Sequence, residues 1–412
     1  IRDVLDLRDP DRMIREVMEK PSAELSAGEI HSLVRFAGQH LRSYQRRDDE
    51  RRRVERLVQT LRESVTVYDD DAESHVRTIT EVTGPSVDVF LALPLAMLRL
   101  APGAWEAKAA ALATGEVLED VPDEVRAVVE GDVLWHGQDY LGELAVIGGA
   151  GPNRYDMSRV AAVYDVGGDD RYDYGDTATK SAIALRVVID LAGDDVHEST
   201  CAFEGPATGV YGLSWLDDRA GDDVYRSRHA FAVAAGLMGF GILRDRAGND
   251  LYETTGEDSG WGIGVGLWGA GILLDEEGSD VYRGEKLVQG VGGPRGLGAI
   301  LDVKGRDLYE ANGPSFGSAY GTPAVHVGMS QGFGIGIRGY ASGGVGGIVD
   351  FAGHDRYEAG EFSQAGGYYF GLGFIHDVRG DDLYYGNRYG QAFAAHQAIG
   401  ILVDDAGDDT YW

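Results

Sequence analysis

Nine copies of Asp-x-x-Gly-x-Asp-x-aromatic run between residues 165 and 411, most of them about 27 residues apart. A unit of that length cannot bury a core alone, so successive copies must stack and share one. The first acids are Asp165, Asp190, Asp218, Asp245, Asp275, Asp302, Asp350, Asp377 and Asp404. The second acids are Asp170, Asp195, Asp223, Asp250, Asp280, Asp307, Asp355, Asp382 and Asp409. The aromatic is Tyr in every copy but one, where His197 stands instead, as a stacked column tolerating one exchange would allow. A degenerate forerunner, Gly151-Pro152-Asn153-Arg154-Tyr155, lacks the first acid and carries Asn for the second, which suits a cap on the stack.

Aligned, each copy contains three segments. One ends in Gly-x-Leu/Ile-x-Asp, as in Gly241-Ile242-Leu243-Arg244-Asp245, and the next carries the aromatic, as in Asp250-Leu251-Tyr252-Glu253. The third opens on a polar residue, then a small one, then often an aromatic, as in Gln331-Gly332-Phe333. One short strand per side, each pairing with its equivalents about 4.8 Å above and below, makes a parallel β-solenoid. The general rule for parallel crossovers makes it right-handed, and the spacing predicts about ten coils.

Earlier residues read differently. Helical spacing of Leu, Val and Ile covers 10–20, 28–65 and 104–130, with Asp9, Ser22, Ser26 and Asp120 as expected starts. The chain is therefore expected to be α+β: a helical domain over 1–140 and a β-solenoid over 141–412. Val89 to Ala101 is mostly apolar but falls short of the ~18 residues of a membrane span, and it contains Pro94 and Arg99. Arg46, Arg47, Arg51, Arg52, Arg53 and Arg56 form a dense basic cluster, either a solvated helix face or a dock for the acidic repeats.

With 68 acidic residues against 37 basic ones the formal charge is −31, which argues against a nucleic-acid partner and for cations or basic surfaces. The 61 glycines lie mainly after residue 145, where tight corners need them. A single cysteine, Cys201, excludes an intrachain disulfide.

Stacking places each Asp beside its counterparts, and like charges at that distance repel unless neutralised or hydrogen-bonded. The carboxylates either cap their own corners as Asx-turns or form oxygen cages for Ca²⁺. Gly168-Asp169-Asp170-Arg171-Tyr172 and its equivalents resemble the second half of the Gly-Gly-x-Gly-x-Asp-x-U-x repeat of RTX-type secreted calcium-binding proteins. The repeat here is near 27 residues rather than tandem nonapeptides. That resemblance implies calcium at the eighteen acids named above and an extracellular or periplasmic location. More broadly the coils look like those of parallel β-helix proteins, among them polysaccharide lyases, hydrolases and adhesins, which implies a polysaccharide or protein surface as partner. The chain stops directly after a repeat, so self-assembly through an open solenoid end is a further expectation.

The polar residues opening the third segments form a column: Ser181, Cys201, His229, Ser259, Gln289, Gln331, Gln364 and Gln391. It is expected to be a hydrogen-bonded Gln ladder within strands. At its start Cys201 and His229 become neighbours, with Asp258 or Ser259 placed to orient the imidazole, the outline of a Cys-His hydrolase or transferase. Gly328-Met329-Ser330-Gln331-Gly332 matches a nucleophile elbow without the strand-turn-helix context. About 21 additional residues interrupt one coil, mostly within Glu310 to Val325, and Phe316, Tyr320, His326 and Arg338 there are candidates for contact with a sugar or peptide. Taken together, these features lead to the expectation of a calcium-stabilised extracellular solenoid serving as a rigid binding or structural element, with an enzyme as the alternative.

Overall fold

The computed structural model describes residues 25–45, 48–63, 74, 77, 87–175 and 183–412. The predicted segment 10–20, the starts at Asp9 and Ser22, Arg46, Arg47 and Ser181 lie outside the described residues. A short helical region leads into a parallel β-solenoid of about nine turns, close to the ten expected. Three walls enclose it. The aliphatic wall has eleven strands running from Val133–Gln138 to Ile399–Asp404, and the aromatic wall eleven from Val129–Glu130 to Thr410–Tyr411. A third wall holds seven shorter strands from Thr208–Val210 to Ala394–Ala395.

Register is set by the repeat. Asp245, Asp275, Asp302, Asp350, Asp377 and Asp404 lie directly one above another, as do Tyr225, Tyr252, Tyr282, Tyr309, Tyr357 and Tyr384. Alternate residues of a strand face opposite sides, so Leu251-Tyr252-Glu253-Thr254 buries Tyr252 and Thr254 and turns Leu251 and Glu253 outward. The interior is a column of Leu243, Leu273, Ile300, Ile348 and Ile375 packed against the tyrosines. At the amino-terminal edge both long walls close with antiparallel pairs, Val133–Gln138 on Leu144–Gly148 and Val129–Glu130 on Arg154–Asp156. An antiparallel strand there blunts an otherwise open parallel edge.

The helices cover the outside of the aliphatic wall. α1 (Ala27–Gln45) starts at a capping box: the Glu29 amide donates to Ser26 Oγ at 3.3 Å and the Ser26 amide to the Glu29 carboxylate at 2.9 Å. α2 (Asp48–Glu63) follows, carrying Arg52, Arg53 and Arg56 on its exposed side. α3 (Val87–Leu112) packs Leu93, Met97, Leu100 and Trp105 into one core with Leu185, Val187 and Leu213 of the wall. Trp105 Nε1 donates to the Val163 carbonyl at 3.1 Å, and Glu106 pairs with Arg219.

Two sequence expectations change here. Val89 to Ala101 belongs to α3, which continues through Pro94 and Pro102; packing on the wall holds a helix that each proline alone would kink. Past Leu112 only Asp123–Arg126 is α-helical among the described residues, and it is entered through Pro122 rather than Asp120. No described helix is long and apolar enough to cross a membrane.

Candidate metal centre

Each Asp-x-x-Gly-x-Asp frame is the corner between the aliphatic and aromatic walls. Its glycine is required by close approach: a Cβ on Gly193 would sit 1.5 Å from the Gly168 carbonyl oxygen, and one on Gly221 would sit 1.6 Å from that of Gly193. The residue after the glycine faces solvent, which accommodates Asp169, Asn249 and Arg306 alike. It forms an outer ladder in which the amide of Asp222 donates to Asp194 at 3.0 Å and that of Asn249 to Asp222 at 2.8 Å.

The second acids form an inner ladder running in the opposite sense. The Asp223 amide donates to Asp250 Oδ1 at 2.6 Å, the Asp250 amide to Asp280 at 2.7 Å, and the Asp280 amide to Asp307 at 2.7 Å. The first acids bind the tyrosines: Tyr225, Tyr252 and Tyr282 each donate a phenol proton across one coil at 2.7 Å, to Asp245, Asp275 and Asp302. Their rings stack with centroids 4.6 to 4.9 Å apart between Tyr252, Tyr282 and Tyr309. Capping is therefore observed, by the second acids on the neighbouring coil's corner rather than their own. Asp165 and Asp190, which also accept the Gly167 and Ala192 amides of their own corners, use both oxygens, and from Asp195 to Asp382 each carboxylate of these frames uses one.

The other oxygen is left over. Oδ2 of Asp195, Asp223, Asp250, Asp280, Asp307, Asp355 and Asp382, and Oδ1 of Asp218, Asp245, Asp275, Asp302, Asp350 and Asp377, are buried without a hydrogen-bond partner. Amides such as that of Ala247 ease the charge on Asp245 without reaching hydrogen-bond geometry. These oxygens converge. Asp223, Asp245 and Asp250 form one triad, Asp250, Asp275 and Asp280 the next, and Asp280, Asp302 and Asp307 another, with ligand atoms within 4.8 Å of one another. These three share an acid from one to the next, so the clusters run on without a break from Asp223 to Asp307. Burial first, then the neighbouring acids, raise the carboxyl pKa of Asp250 and Asp307, and push Asp377 up to about 8. Toward the carboxy-terminal end Asp404 and Asp409 are only half-buried.

Two coils depart from the pattern. At the first, Asn153 replaces the second acid. Its Oδ1 still accepts the Asp132 amide at 2.7 Å, while Nδ2 donates to Tyr155 Oη at 2.6 Å and leans toward Asp165 at 3.4 Å. The forerunner thus caps the column with a neutral group. At the other, His197 stacks between Tyr172 and Tyr225 at 4.2 and 4.9 Å. Burial pushes its imidazole pKa down to about 3, so it is neutral, and it completes a triad with Asp195 and Asp218.

The polar column differs from the expected strand ladder. Gln289, Gln331, Gln364 and Gln391 adopt φ of 56 to 65°, a left-handed corner from which the third-wall strands begin at least two residues later. Their amides do not ladder with one another. Gln331 Nε2 donates to the carbonyls of Tyr309 at 2.9 Å and Glu358 at 3.1 Å, stapling two coils of the aromatic wall, and Gln289 and Gln364 do the same.

The same register carries the cysteine. Phe203 stacks on Phe231 and Phe231 on Trp261 at 6.0 and 6.2 Å, so Cys201, His229 and Ser259 occupy equivalent positions one coil apart. Cys201 Sγ lies against Gly175 of the preceding coil, where an added Cβ would come within 2.3 Å of it. The Ser259 hydroxyl donates to the Gly256 carbonyl at 2.7 Å, and Asp258 is exposed. Ser330 is buried and donates to Gly328 at 2.9 Å.

Two buried carboxylates hold the inserted loop. Glu285 accepts the Ser315 amide at 3.0 Å; Glu361 accepts the Ser318 hydroxyl and the Ala319 amide, each at 2.8 Å. Tyr320 and Arg338 then line a cavity of about 370 Å³ with Phe333, Phe362, Tyr389 and His396. Phe316 lies elsewhere, under Lys286 Nζ at 5.1 Å, and His326, whose backbone bridges to Gly317, does not line the cavity. Neither Glu285 nor Glu361 stands out in the sequence, since each is one acid among many.

No protein-family model matches the chain, and neither a curated protein nor a solved structure is similar to it.

Proposed function

We propose that the chain is a rigid solenoid whose corner column binds divalent cations, calcium foremost, and that it serves as a structural or binding element outside the cytoplasm. One observation carries this reading: every repeat leaves buried carboxylate oxygens without a hydrogen-bond partner, and these converge into triads. Calcium takes oxygen ligands at about 2.3–2.6 Å, so two ligands on opposite sides of one ion stand about 4.6–5.2 Å apart. Carboxylate oxygens that all lie within 4.8 Å of one another are close enough to share one such ion. Charge fits as well, because each coil but the last adds two buried acids and one divalent ion per coil cancels them. Without an ion, several acids must stay protonated or repel one another. Calorimetric titration and metal analysis of the chelated, refilled protein test the reading. Several bound Ca²⁺ per chain and a rise in melting temperature are expected; an unchanged melting temperature with and without Ca²⁺ sinks it.

The binding element would be the cavity beside the inserted loop. Tyr320, Phe362 and Tyr389 group their rings at 4.9 to 6.2 Å, and Arg388 lies over Tyr320 at 4.6 Å. Flat aromatic faces with a few polar tips suit the ring face of a sugar in a polysaccharide.

A further inference from the structure

His197 is the one aromatic-column residue that makes no hydrogen bond to a first acid. Where other copies place a phenol, its Nε2 is fully buried, has no hydrogen-bond partner, and points at Asp218 Oδ2 from 3.7 Å. That separation is too long for a hydrogen bond. It is close to the ~3.4 Å between two ligands on one tetrahedral zinc, given Zn–N and Zn–O bonds of about 2.0–2.2 Å. Asp195 Oδ2 and Asp218 Oδ1, both buried, also lack partners.

A second departure meets the first. Tyr174 sits where the following coils carry Ser199, Ser227, Thr254, Gly284, Ala311 and Ala359, all small. Its hydroxyl lies 3.2 Å from His197 Nδ1. A ligating histidine characteristically donates its other N–H to an oxygen, which fixes the ring and its tautomer. Tyr174 supplies that oxygen: with Nδ1–H donated to the phenol, the Nε2 lone pair is directed at Asp195 and Asp218.

We propose that Asp195, His197 and Asp218 form a site for a borderline first-row divalent ion of the zinc class, distinct from the all-oxygen triads of the other coils. Imidazole favours zinc, cobalt and nickel, whereas purely carboxylate sites favour calcium, magnesium and manganese. Tyr174 is a positioning residue and not itself a ligand. The inference uses the geometry of this coil and does not depend on calcium filling the others.

The test uses the full chain, stripped with a chelator and titrated with Zn²⁺, and with Co²⁺ as a spectroscopic probe, in excess Ca²⁺. About one equivalent of Zn²⁺ resistant to Ca²⁺ is expected, and intense visible Co²⁺ bands of a tetrahedral site that His197→Tyr abolishes. His197→Tyr restores the residue of the other copies, so the solenoid should fold with its Ca²⁺ equivalents unchanged while the Zn²⁺ equivalent is lost. Tyr174→Phe should weaken Zn²⁺ roughly 10- to 100-fold without abolishing it. Undiminished Zn²⁺ binding by His197→Tyr overturns the proposal. Should that variant fail to fold, X-ray absorption of the zinc-loaded native protein decides: imidazole scattering supports the site and its absence overturns it. Zinc binding without calcium binding would remove the calcium reading alone, and calcium without zinc would remove this one.

Discussion

The backbone amide of Asp223 donates to the carboxylate of Asp250, one coil further on, at 2.6 Å. One side chain therefore closes its neighbour's corner with one oxygen and leaves the other for the triads on either side, in both of which Asp250 takes part.

Replacing that residue separates the two roles. Asp250→Asn keeps an acceptor for the Asp223 amide and adds a donor for the oxygens around it, as Asn153 does at the end of the column. Its chelated form should melt above the chelated native protein, with a smaller gain on adding Ca²⁺. Asp250→Ala loses the cap as well and should cost about 1–3 kcal/mol even without metal. Melting curves with and without chelator read both. An Asn variant less stable than native in chelator would show that the buried charge is not the liability described.

The pH dependence has a defined sign. Asp377 is pushed up to about 8 and Asp382 to about 6, burial being the first cause in each, against about 3.9 in an unfolded chain. Folded-state values above the unfolded ones give stability that is fully present below about pH 4 and lost as pH rises through 6 to 8. Chelated protein should therefore melt at a lower temperature at about pH 8 than at about pH 5, and saturating Ca²⁺ should flatten the difference. A chelated protein that gains stability over this range contradicts the column's electrostatics.

Tyr252→Phe keeps the ring stack and removes the only phenol bond recorded for Asp275 Oδ2. A loss of about 1–3 kcal/mol is expected in denaturant unfolding. The deficit should shrink in Ca²⁺ if an ion satisfies Asp275 instead.

Much of this is legible in the sequence because a repeat repeats its environment: Asp169, Asn249 and Arg306 at one equivalent position suit only a solvent face, and the unvarying Asp, Gly and Asp around them suit a constrained frame. The full length of α3 is not, since Val89 to Ala101 stands out only as an apolar stretch too short for a membrane span, and only the wall beneath it explains a helix that tolerates Pro94 and Pro102. The left-handed corner at Gln331 was equally hidden, because a non-glycine residue gives no warning of a positive φ. His197 was visible as an exception, yet it read as a tolerated exchange. Its meaning needed Tyr174, an exception in a different column that only the three-dimensional register brings alongside.

The inserted loop should come loose from the solenoid through a single buried group. Glu361 lies wholly inside, and both its carboxylate oxygens are spent on Ser318 and Ala319, which set Tyr320 over the aromatic cavity. Glu361→Ala removes those acceptors while leaving the Asp column and tyrosine stack untouched. Limited proteolysis should then cut within 312–325 much faster than in the native chain, and any oligosaccharide found by array screening should bind at least about tenfold more weakly, a loss of about 1.4 kcal/mol. The Ca²⁺-dependent melting step should stay where it is, because coils stabilise mainly their nearest neighbours. Unchanged cleavage would mean that the loop is held by other contacts, and unchanged sugar binding would place the recognition surface away from Tyr320.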